Sequence, residues 1–98
     1  MNYYHITFHI PEDPGDEFWA KIPAHRNYID TLLNKGVVLS YCVNADRTKG
    51  WASLTAENVT DARKMMASSP LGSYLEFEIE ELIFYNAATN SLPVLSLN

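Results

Sequence analysis

From Tyr3 to Ile10, apolar and polar side chains alternate: Tyr4, Ile6, Phe8 and Ile10 on one side, Tyr3, His5, Thr7 and His9 on the other. A period of two is that of a half-buried β-strand, and the aromatic and β-branched content suits one. "PEDPGDE" breaks the strand, and either Asp13 before Pro14 or Asp16 before Glu17 can open a helix. The period then changes. Phe18, Ile22, His25, Ile29 and Leu32 recur at steps of four, three, four and three, which places them along one helix face. Lys21, Arg26, Asn27, Asp30 and Asn34 fill most of the remaining surface. The helix is expected to end at Asn34 or Lys35, with Gly36 as its stop. Pro23 either kinks one long helix or opens a shorter second one after a break.

"VVLSYCVNA", Val37 to Ala45, reads as a second strand, "DRTKG" as a hairpin loop and "WASLT" as a short third strand. Asn58 with Asp61 three residues on resembles a capping box that opens a helix running to about Ser68. Val59, Ala62, Met65 and Met66 form its apolar side, and "SSPLG" ends it. Tyr74 to Tyr85 alternates again, with Leu75, Phe77, Ile79 and Ile83 opposite Tyr74, Glu76, Glu78 and Glu80. The resulting order is βαββαβ, which predicts an α+β, ferredoxin-like split βαβ domain over residues 1–86. Its four-stranded antiparallel sheet would carry two helices on one face. Residues 87–98 are left as a tail, whose "LPVLSL" offers apolar side chains for a neighbouring chain.

Two helices cover one side of such a sheet. The other side would hold Tyr3, His5, His9, Trp51, Tyr74, Glu76 and Glu78, too aromatic for plain solvent and too polar for a core. It would suit the wall of a ligand cavity closed by another subunit, with His5, Trp51, Tyr74 and Glu78 as ligand-binding candidates. The plainer reading of alternating glutamates is a solvated face. His5 and His9 could point at one metal ion, but no third ligand has convincing spacing, so no metal is expected.

Composition narrows the picture. At 98 residues, with 47% hydrophobic and 19% charged residues, the chain reads as a single globular domain small enough to benefit from a second copy. Its formal charge of −5 and lack of a basic cluster argue against nucleic acid. The lone Cys42 suits a reducing cytoplasm, and neither a secretion signal nor a membrane span is expected.

The feature that composition does not absorb is His25. It sits within an apolar stripe, yet it is the one residue type whose charge switches near neutral pH. A hydrogen-bonded interior histidine is the plain explanation. A general acid or base beside an apolar cavity is the functional one, with Tyr41, His5 or a strand-four glutamate fixing the tautomer.

Pro70-Leu71 followed by Tyr74, Glu76, Glu78 and Leu82, together with "LLNKG" and "GWASLTAENVTDA", resembles muconolactone isomerase and its relatives among the dimeric α/β-barrel proteins. The first helix also resembles the YCII-related group, where a "PAH" sequence places a histidine near the active-site cleft; His25 matches it. The resemblance spans about Tyr3 to Asn86. It implies two sheets packed into a barrel, a homodimer or larger ring of dimers, and cofactor-free proton transfer on a small lactone or organic acid. At the level where those isomerases carry a lysine and an acidic residue, this chain has Ile22 and His25, so the family's substrate is not carried over. Arg26 or Lys21 would hold a substrate carboxylate. A non-catalytic ligand-binding or assembly module, and a cofactor-free monooxygenase, are the rival expectations on the same scaffold.

Overall fold

The computed structural model describes residues 1–88. In chain order the elements are β1 (Asn2–His9), α1 (Asp16–Ala20), α2 (Ile22–Asn34), β2 (Val38–Val43), β3 (Lys49–Ala56), α3 (Val59–Ala67) and β4 (Glu76–Leu82), with a single 3₁₀ turn over Gly72–Tyr74. The strands form one antiparallel sheet in the order β2-β3-β1-β4. This is the ferredoxin-like topology, an α+β fold, as the order of periodicities predicts.

Pro23 resolves as the start of a second helix. It occupies the first turn of α2, where its missing N–H breaks no helical hydrogen bond, and α1 is a separate short helix ahead of it. The far end of α2 closes as expected at Gly36. Its φ of 73° is open to glycine at little cost, and Gly36 N–H donates to Leu33 O while Val37 N–H donates to Leu32 O. Asn58 caps α3 by accepting the Asp61 N–H at 2.8 Å.

Strand register decides the two faces. Tyr4, Ile6 and Phe8 of β1 pair with Leu54, Ala52 and Gly50 of β3, and Ile6 and Phe8 pair with Ile79 and Phe77 of β4. These positions face the helices. The main core gathers Tyr4, Ile6, Leu54 and Ala52 under Ile29 of α2 and Ala62 and Met66 of α3. A smaller cluster of Phe8, Phe18, Leu71 and Leu75 fills the other end.

The last strand is shorter than its alternation predicts. β4 begins at Glu76, because Gly72–Tyr74 turn as a 3₁₀ helix, and it ends at Leu82, leaving Ile83 98% exposed. Tyr74 is therefore not on the sheet's outer face. Its ring meets Phe18 edge-on at 5.4 Å, and its hydroxyl donates to Glu17 Oε1 at 3.4 Å. Val59, assigned to the apolar side of α3, is likewise exposed. No helix among the described residues is long and apolar enough to cross a membrane. The expected docking tail, Ser91 to Leu97, lies outside the described residues.

Candidate functional site

The site begins with small residues in β3. Gly50 and Ala52 stand on the helix-facing side between β1 and β2, so the sheet is low there. Phe8 and Tyr41 reach over this low ground from their separate strands and stack, centroids 5.3 Å apart. A Cβ at Gly50 would collide with the Phe8 ring and with the Cys42 carbonyl. Above the two rings, α1 supplies Phe18 and Trp19, and the first turns of α2 supply Ile22, His25 and Arg26. Leu71 and Leu75 close one flank, while Val43 and Arg47 of the β2–β3 hairpin form another. The enclosed space is a half-open cavity of about 290 Å³, almost wholly apolar. A smaller hollow of about 220 Å³ shares His25, Arg26 and Tyr41 and adds Ile29, Asp30 and Leu33.

His25 stands between these two spaces. Its side chain is buried, and Nε2 lies 2.8 Å from the Tyr41 hydroxyl. Nδ1 is buried with no hydrogen-bond partner among the described residues. Loss of water disfavours the imidazolium, so the His25 pKa is lowered from its usual value of 6.5. Burial acts on Tyr41 in the opposite sense because its charged form is the anion. Burial, followed by charge repulsion from the neighbouring Cys42 sulfur, pushes the phenol up to about 12. At neutral pH the wall therefore holds an uncharged imidazole against an uncharged phenol. Such a pair can pass a proton in either direction.

Of the residues singled out in the sequence, the cavity unites His25, Tyr41 and Arg26. Tyr74 lies one layer behind, against Phe18, and the Lys21 ammonium sits over the Tyr74 ring at 5.2 Å rather than in the cavity. His5, Trp51 and Glu78 lie on the other side of the sheet. His5 pairs with Ser53 and Glu80, and Thr7 pairs with Trp51 and Glu78, all pointing away from the helices. On that face His9 Nε2 contacts Glu78 Oε2 at 3.1 Å, and Lys49 lies over the Trp51 ring at 5.5 Å. Among the described residues no three His, Cys, Asp or Glu side chains converge as a metal site. Arg47 escaped the sequence reading, as did the contribution of Trp19. A charged residue in a hairpin carries no period, and only the fold of the turn over the sheet end brings it to the cavity.

No protein-family model matches the chain, and no curated protein is significantly similar to it. Among solved structures the chain is similar to that of muconolactone isomerase, with a TM-score of 0.69 over 91% of this chain and 96% of the other. Sequence identity is 14%, so what is shared is the path of the backbone rather than the chemistry of the side chains. The chain has the ferredoxin-like α+β fold of muconolactone isomerase.

Proposed function

We propose that the chain binds a small organic molecule, a lactone or organic acid, in the cavity between α1, α2 and the sheet, and moves a proton on it through Tyr41 and His25. The observation that carries this reading is the 2.8 Å contact between His25 Nε2 and the Tyr41 hydroxyl in the wall of an otherwise apolar cavity. Tyr41 is the more exposed of the two, so it is the partner that meets the ligand. As the phenol oxygen takes a proton from an acidified carbon of the ligand, the phenol's own proton passes to Nε2. The imidazolium returns it by the reverse route at a second position, which completes an isomerisation. This chemistry asks for no metal or organic cofactor. The resemblance of Pro23-Ala24-His25 to the YCII-related group, and the fold shared with muconolactone isomerase, point the same way.

The test is hydrogen exchange. Candidate lactones and acids are incubated with the protein in D₂O, and deuterium incorporation is followed by NMR. Tyr41→Phe and His25→Gln should each slow exchange by about 10²-fold or more, the scale of a positioned acid or base. Exchange that proceeds at the parent rate in both variants would exclude this pair. One observation favours a second reading, a non-catalytic binding module: no carboxylate or lysine lines the larger cavity to serve as a second acid or base. Ligand binding without exchange in the parent protein would decide for that reading.

We further propose that the outer sheet face closes against a second copy of the chain, giving a homodimer. Tyr3 is 39% exposed there, stacked on Tyr85, and Trp51 and Leu82 share that face. An aromatic surface of this kind gains from burial.

A further inference from the structure

Arg47 has a non-glycine backbone in the left-handed region, with φ at 60°. An L side chain with a Cβ pays for that conformation, and such residues concentrate where function needs them. The hairpin enforces it. Asn44 Oδ1 accepts the Thr48 and Lys49 N–H groups at 2.9 and 3.2 Å, and Asn44 Nδ2 donates to Thr48 Oγ1 at 2.8 Å. The Arg47 N–H donates to the Asn44 carbonyl at 3.0 Å, which closes the turn. A glycine would satisfy the same turn without strain, yet the chain has an arginine, and that arginine lines the cavity.

Charge in the lining of the larger cavity is one-sided, although Asp30 lines the adjoining hollow that shares Arg26. The chain carries 12 acidic against 7 basic residues, yet no Asp or Glu lines the larger cavity, and two of the three arginines do. Arg26 reaches it from α2 and Arg47 from the hairpin, both exposed and neither in an ion pair among the described residues. Deeper in, the lining is Phe8, Phe18, Leu71 and Leu75. An apolar cavity whose lining includes the side chains of two exposed arginines, with their guanidinium groups free to turn toward a bound head group, matches a ligand with an apolar body and an anionic head.

We propose that Arg47 is a specificity-determining residue, held at the cavity mouth by the hairpin, and that with Arg26 it selects amphipathic monoanions bearing a carboxylate or sulfonate. The inference rests on the cavity being the ligand site, and it names the class of ligand that site takes. It also orients the ligand: the head stays at the rim, and the apolar body lies against Phe8 and Phe18, beside Tyr41.

The test uses two fluorescent probes that differ only in the anion, 8-anilinonaphthalene-1-sulfonate and N-phenyl-1-naphthylamine. The sulfonate should bind more tightly to the parent protein, and its advantage should shrink as salt rises. Arg47→Gly should weaken the sulfonate about three- to fivefold, and Arg47→Gly with Arg26→Gln about tenfold or more, as expected for partly exposed charged contacts. The neutral probe should change less than about twofold in either variant. Arg47→Gly should also leave the Tm unchanged or raise it by about 2–5 °C, because the left-handed position is relieved. A fall in Tm would make Arg47 a structural residue and overturn the proposal. Equal binding of both probes, unaltered in the variants, would overturn the anion selectivity while leaving the His25–Tyr41 chemistry standing. No binding of either probe would remove the cavity as a ligand site, and the proposed function with it.

Discussion

At the residue scale, His25 and Tyr41 form one unit whose members cannot be judged separately. Replacing His25 with leucine removes the unpartnered Nδ1 and suits Ile22 and Ile29, but it also leaves the Tyr41 hydroxyl without its 2.8 Å partner. Replacing Tyr41 with phenylalanine leaves both imidazole nitrogens unpaired in a buried site, which costs about 1–3 kcal/mol. The double variant His25→Leu/Tyr41→Phe removes every polar atom of the pair. Urea melts should therefore give a double variant more stable than Tyr41→Phe alone, with a coupling of about 1–2 kcal/mol. Strict additivity would show that the pair contributes nothing as a pair. The lowered His25 pKa adds a pH signature. Below pH 6.5 the unfolded chain takes up a proton that folded His25 resists, so unfolding binds protons and stability falls with acidification. His25→Leu should flatten that decline in Tm as pH drops below 6.5, and an unchanged slope would place the titration elsewhere.

At the scale of elements, the cavity depends on two small residues on the helix-facing side of one strand. Gly50 and Ala52 keep β3 low so that Phe8 and Tyr41 can meet across it. Gly50→Ala sets a methyl against the Phe8 ring and the Cys42 carbonyl, and the backbone on that side cannot rotate away. The cost should be about 1–3 kcal/mol, as for other overpacked sites. Displacement of Phe8 should also weaken binding of the neutral probe, because that ring forms the cavity floor. Calorimetry with probe titration tests both, and a variant that melts and binds like the parent would mean that the floor tolerates the methyl.

At the scale of the whole molecule, the sheet has one face under helices and one that carries the exposed Tyr3 with half-buried Trp51 and Leu82. Light scattering at micromolar concentration should report a dimer, and Tyr3→Glu with Trp51→Glu should shift it toward monomer by placing charge in the buried centre of the contact. A stable parent monomer would remove this face as an interface. The cavity lies on the opposite side of the sheet, so the monomeric variant should keep its affinity for the neutral probe. A parallel loss of binding would mean that a second copy completes the cavity.

The sequence by itself determined the elements and their order. Alternation in β1, the Ile22–Leu32 part of the apolar stripe, the Asn58 cap and the Gly36 stop are local properties, set by side-chain period and backbone permission over a few residues, whereas Phe18 falls on the separate α1. It also marked His25, because a polar residue inside an apolar stripe is visible without any fold. The same alternation overran at Tyr74 and Ile83, since a period of two says nothing about where hydrogen-bonded partners run out. Tertiary structure alone decided which candidates share a space. Alternation already puts His5, Trp51 and Glu78 on the outer face, but only the pairing of β2 with β3 sets Tyr41 on the helix-facing side beside His25, a choice that turns on register. The hairpin brought Arg47 into the lining of the cavity that Arg26 also lines, because a turn's backbone conformation aims a side chain that no periodicity can place.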